Sequence, residues 1–249
     1  MYYSAIGLLA ILVLLIENQG TLLNPEGAFE KPVWRLYRRF LLAVLIYYIT
    51  DVLWGFLESR KLGALLFADT TLYFVAMAAG VLYWARFTVA YLGEENEFGR
   101  FIVHAGRFIA GVITLLAAVN TFAPVLFTVD GNSVYHALPV RYVILSGQIL
   151  TFLLVSAYAF LSIAQGRAER IGEYRTLAFF GLVMAIFLFI QLWFPYLPLY
   201  TIAYLLGTCL LRTFVVDDVK EKYRRGLEET ARIAELKDTI VSLLDNSPA

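Results

Sequence analysis

Seven long apolar runs dominate the sequence, and they leave little choice of fold. They lie near residues 2–17 (extending toward Leu23), 36–58, 62–91, 98–123, 140–165, 174–195 and 198–216. A helix needs about 20 apolar residues to cross a bilayer core, and lipid tolerates no unpaired backbone, so such runs specify membrane-spanning helices. The last two are told apart by the break Pro195-Tyr196-Leu197-Pro198. Composition agrees: 60% of residues are hydrophobic and 16% charged, whereas soluble domains carry about a quarter charged. The N-terminal Met1-Tyr2-Tyr3-Ser4 lacks the positive region of a signal peptide, so the first run reads as a retained helix. The expected fold is an all-α, seven-transmembrane helix bundle over residues 1–214.

Lysines and arginines near the run ends set the orientation. One side collects Lys31, Arg35, Arg38, Arg39, Arg86, Arg100, Arg107, Arg167, Arg170, Arg175, Lys220, Lys222, Arg224 and Arg225. The other has Arg60, Lys61 and Arg141. The alternation holds across all seven runs. It places the N-terminus outside and the C-terminal tail in the cytoplasm, as expected of a multi-pass membrane protein.

The seventh run passes without proline into a charged helical stretch over 215–245. There Val216, Val219, Tyr223, Gly226, Thr230 and Ile233 recur with alternating steps of three and four, a heptad seam. Ile233, Leu236, Ile240 and Leu243 restart it after two steps of three, the phase shift of a stammer. The expectation is a parallel homodimeric coiled coil through Val219, Tyr223, Thr230, Ile233, Leu236 and Ile240, weak enough to switch between two packings. A plain amphipathic surface helix is the alternative.

The closing stretch Ile240-Val241-Ser242-Leu243-Leu244-Asp245-Asn246-Ser247-Pro248-Ala249 resembles the entry to a PAS domain in bacterial sensor proteins, with 246–249 as the start of a further domain. In layout, the chain resembles the seven-helix sensor regions of bacterial diguanylate cyclases (GGDEF proteins) and sensor histidine kinases. The stretch Thr50–Glu58 and the run Tyr73–Leu92 contribute to that likeness. The resemblance implies a receptor relaying to a cytoplasmic output domain, such as a cyclic di-GMP-producing cyclase, with no catalytic activity in these residues themselves.

Ionisable groups at membrane depth are costly and usually functional. Tyr47, Asp51, Trp54 and Glu58 step by four, three and four and share one helix face. Asp69 and Tyr73 share a face of the third run. Outer halves of other runs supply Asn120, Arg141, Gln148, Gln191, Trp193, Tyr200 and Tyr204. The candidate ligand site is therefore Asp51, Trp54, Glu58, Asp69, Tyr73, Arg141, Gln148, Gln191, Tyr200 and Tyr204. Aromatic faces attract ammonium groups, a carboxylate supplies counter-charge, and Arg141 can hold a carboxylate. The set suits an extracellular cationic or zwitterionic amine or amino acid. Asp130-Gly131-Asn132 is a turn signal, and Val125–Tyr135 reads as a hairpin lid over the pocket. On the inner side Glu17 is expected to pair with an arginine at a helix end, and Asn18–Val33 with Trp34 to pack against the start of the coil. His104 reads as a packing residue.

Other chemistries lack their residues. One cysteine, Cys209, and two histidines, His104 and His136, make no disulfide or zinc site. The seventh run has no lysine for a retinal Schiff base. No H-E-x-x-H, G-x-S-x-G or glycine-rich phosphate loop is present. The formal net charge is zero, so the total says nothing about nucleic acid; no nucleic-acid partner and no cofactor are expected. The partners expected are the ligand, membrane lipid and a second copy of the chain. A small-solute transporter is the competing reading. Transporters commonly break helices at mid-membrane with Gly or Pro, whereas these prolines lie in or near connections.

Overall fold

The computed structural model describes residues 2–23, 32–93, 96–166, 171–194 and 197–245. Its helices are α1 (Tyr2–Leu23), α2 (Pro32–Ser59), α3 (Gly63–Tyr91), α4 (Glu97–Val119), α5 (Val140–Ala164), α6 (Ile171–Trp193), α7 (Leu199–Leu211) and α8 (Asp217–Asp245). Seven segments are long and apolar enough to cross a membrane, the last combining α7 with the turn that follows it. The helices pack in a closed ring in chain order, α7 returning to α1, with α3 also against α5. The fold is thus a seven-helix, multi-pass membrane architecture.

Local chemistry sets the helix ends. Pro32 opens α2, where its missing N–H costs nothing. The Asn96 side chain caps α4 by accepting from the Gly99 N–H at 2.7 Å. The α2–α3 turn is tight, with Lys61 at φ +57°. α1 runs the full length to Leu23 but kinks at Asn18. The Asn18 amide donates to the Leu14 carbonyl and accepts from the Tyr37 hydroxyl, both at 3.2 Å. Trp34 packs against Tyr37, Phe87 and Tyr91. It belongs to the core where α2 meets the end of α3; the rest of that connection, 24–31, lies outside the described residues.

Aromatic rings fill the axis of the bundle. Trp84 lies on Phe180 with centroids 4.0 Å apart, and Phe40 meets Trp84, Phe180 and Tyr204. Glycine makes the room: a Cβ on Gly207 would stand 2.3 Å from the Phe180 ring, and one on Gly80 2.5 Å from the Tyr204 hydroxyl. Without a strong hydrophobic drive between helices in lipid, such close fits supply the association energy.

The seventh span does not end as a simple helix. Arg212–Val216 forms a π-helical turn, in which the Asp217 N–H donates to the Arg212 carbonyl five residues back. Helical backbone continues on either side, from Leu199 to Asp245. The turn is anchored: Val215 and Val216 are buried, the Arg212 Nε donates to the Glu17 carbonyl at 2.6 Å, and the Arg212 guanidinium pairs with Asp217. Arg212 therefore reaches α1 at its Asn18 kink through the Glu17 main chain, and its ion pair is with Asp217. Apart from the half-buried Glu221, the α8 side chains described, including Tyr223, Thr230, Ile233 and Leu236, are exposed. Those of Val219 and Ile240 lie outside the described set.

Replacing Gly207 with alanine forces the Phe180 ring to move and is expected to cost about 1–3 kcal/mol, read as a lower unfolding temperature in detergent. Gly172→Ala, where a Cβ meets nothing within 4 Å, is expected to leave it unchanged.

Candidate functional site

At the end of the bundle away from α8 lies a cavity of about 580 Å³. α2 supplies more of its lining than any other element, through Asp51, Trp54, Gly55 and Glu58, in keeping with the spacing of that face. α3 adds Thr70, Tyr73 and Phe74, α5 adds Arg141 and Tyr142, α6 adds Gln191, and α1 adds Ser4. Six of the ten residues singled out from the sequence are thus together: Asp51, Trp54, Glu58, Tyr73, Arg141 and Gln191.

The roof is a two-stranded hairpin, β1 (Phe127–Val129) and β2 (Tyr135–Ala137), paired antiparallel. Tyr135, His136 and Ala137 line the cavity from above. Asn120 directs the chain into the hairpin rather than into the site: its Oδ1 accepts from the Val125 and Leu126 N–H groups at 2.8 Å, and its Nδ2 donates to the Phe127 carbonyl. The hairpin docks on the bundle through Phe127 against Phe67 and Phe74 of α3, and through further contacts. The Ser133 hydroxyl donates to the Lys61 carbonyl at 2.9 Å, the Tyr135 N–H points at Glu58 Oε1 at 3.5 Å, and Tyr135 meets the Trp54 ring edge-on. Asp130 closes the turn by accepting from the Asn132 and Val134 N–H groups at 2.9 Å and meeting His136 Nε2 at 3.2 Å. The Val134 N–H and, next, His136 hold the Asp130 carboxyl below the ordinary aspartate range.

The floor is Asp51, which is 2% exposed. The Thr201 hydroxyl of α7 donates to its Oδ2 at 2.7 Å. That hydroxyl has one proton, so at its 3.1 Å contact with Tyr47 the tyrosine is the donor. Tyr47 heads a cluster of tyrosines, with ring centroids 5.1 Å from Tyr73, 5.0 Å from Tyr200 and 5.7 Å from Tyr204. Tyr200, Tyr204 and Gln148 stand one layer behind the wall instead of on it. The Tyr200 hydroxyl reaches Gln148 Oε1 at 3.4 Å and the Tyr204 hydroxyl at 3.1 Å, and the Tyr200 N–H donates to Gln191 Oε1 at 2.9 Å. Asp69 is buried beside the cavity without lining it. Trp193 is well exposed on the outer surface of the bundle, packed on Phe189, as an interfacial aromatic would be.

α7 therefore gives the cavity no wall residue, yet it holds the cavity's buried acid. Thr201 had no distinguishing mark in the sequence, since threonines in helices commonly bond their own backbone, as Thr208 and Thr151 do here. No protein-family model matches the chain, and no curated protein matches it significantly. Among the described residues no group of three or more His, Cys, Asp or Glu side chains is placed to hold a metal ion.

Thr201→Val removes a donor from a buried carboxylate and an acceptor from Tyr47. A loss of about 1–3 kcal/mol is expected, seen as a lower unfolding temperature and largely restored by Thr201→Ser. For Asp130, a carboxyl held low in the folded state stabilises the hairpin above the ordinary aspartate pKa and loses that effect as pH falls through the lowered value. The Asn132 and Val134 amide resonances are expected to titrate together with a midpoint below the usual aspartate value. A midpoint at or above that value would contradict the hydrogen bonding described.

Proposed function

We propose that the protein is a transmembrane signal-transduction receptor that takes up an extracellular small molecule at the hairpin-covered cavity and relays its binding through α7 and α8. The observation that carries this reading is the bond between Asp51 and Thr201. It joins a residue lining the cavity to a helix whose backbone continues into the tail. The excess of lysine and arginine at the α8 end supports a hairpin-outside, tail-inside orientation.

The cavity lining suits a cationic or zwitterionic amine, an amino acid above all. Asp51 and Glu58 offer counter-charge to an ammonium group among the faces of Trp54, Tyr73 and Tyr135. Arg141, which has no ion pair among the described residues, is available for a carboxylate. The exposed line of Tyr223, Ile233 and Leu236 on α8 supports pairing with a second copy as a coiled coil. A cytoplasmic output domain, such as a diguanylate cyclase or a histidine kinase, would then read the movement.

Transport is the competing function. The described stretches of α2 to α6 are helical throughout, without the mid-membrane break that transporters use to coordinate solutes. A thermal-shift screen of amines and amino acids tests the proposal. A binder is expected to lose about ten-fold or more in affinity with Asp51→Asn. Arg141→Gln is expected to weaken amino acids but not amines lacking a carboxylate. A hit indifferent to Asp51→Asn, or uptake of the labelled compound into proteoliposomes, would overturn the receptor reading.

A further inference from the structure

α4 carries charge where a lipid-facing helix should have none. Arg107 lies ten residues beyond the first residue of α4, Glu97, ~15 Å along the axis at 1.5 Å per residue. That is well inside a span long enough to cross a hydrocarbon core about 30 Å thick. Its side chain faces outward, as do those of His104 and Arg100, one and two turns nearer the α8 end. The three step by four and three and form one ladder. The Arg100 side chain is 67% exposed and among the described residues pairs only with Glu97, at 4.0 Å. Arg107 and His104 have no hydrogen bond or ion pair among the described residues.

Snorkelling accounts for Arg100, which begins close to the headgroups. Arg107, two turns further along α4, has farther to reach. A guanidinium in hydrocarbon is costly, and an anion beside it relieves that cost. The ladder supplies the route, with donors at successive depths from the interface inward. Phe101 and Phe108, 56% and 72% exposed, flank it with apolar surface on which an acyl chain can lie. Gly111, with nothing within 4 Å of where a Cβ would be, leaves the next turn open.

We infer that this face of α4 is a binding site for an anionic phospholipid of the leaflet on the α8 side, its headgroup phosphate held by Arg107, His104 and Arg100. Basic clusters on membrane helices attract anionic headgroups in this way. The site is remote from the cavity and does not depend on the receptor proposal. It also lies across the ring from α1 and α7, so pairing through α8 leaves it uncovered.

Delipidated protein titrated with phosphatidylglycerol and with phosphatidylcholine, read by native mass spectrometry, tests the site. The wild-type protein is expected to prefer phosphatidylglycerol. Arg107→Gln is expected to weaken that lipid by about five-fold, the factor for one basic residue, while Arg107→Lys keeps most of the preference. Arg60→Gln, at the other end of the bundle over the Phe56 ring, is expected to change nothing. Equal affinity for both lipids, or an Arg107→Gln protein that binds as wild type does, would overturn the inference. Efficient disulfide dimers through Gly111→Cys in a Cys209→Ser background would overturn it too, by giving the face to a second copy.

Discussion

A carboxylate buried at membrane depth is the constraint around which this molecule is arranged. Asp51 is almost wholly removed from solvent, and lipid offers no water to solvate it. A group of that kind persists only where the surrounding helices are built to satisfy it. Here the Thr201 hydroxyl of α7 does part of that work at 2.7 Å, with Tyr47 closing the chain behind it. The helices cannot slide past one another without breaking these bonds. The bond thus fixes both the floor of the cavity and the position of the last span.

From that point the structure divides naturally. Above Asp51 the walls are polar and aromatic, and the hairpin closes over them. Below it the tyrosines give way to the packed rings of Phe40, Trp84 and Phe180, seated on Gly207. The α7 backbone crosses this region and leaves the bundle through the π turn, tied by Arg212 to α1 at the kink beside Asn18. A π turn frequently marks a functional position in a helix. Here it sits where a movement of α7 would be passed on to α8.

Much of this was legible in the sequence because the underlying rules are geometric. Membrane thickness fixes the length of a span, so the spans could be counted, although α4 stops at Val119 where Asn120 turns the chain into the hairpin. Helical period placed Asp51, Trp54 and Glu58 on one face, and the Asp-Gly-Asn turn announced the hairpin. What stayed hidden depends on partners distant in sequence. Tyr200 and Tyr204 are polar and in the right half of the bundle, but which layer they occupy is decided by packing against Tyr47 and Gly80. Thr201 looks like any helical threonine. The π turn leaves only a weak trace, the run Thr213-Phe214-Val215-Val216, whose β-branched and aromatic side chains crowd an α-helix.

The account rests on the position of α7 being set at Asp51 and felt in α8. Pulsed electron resonance between spin labels at Arg100→Cys and Glu229→Cys, in a Cys209→Ser protein diluted with unlabelled copies in nanodiscs, measures that directly. Comparing the Thr201 side chain with valine, the account predicts a shift or marked broadening of the distance distribution. Superimposable distributions, in a Thr201→Val protein that is nevertheless less stable, would contradict it.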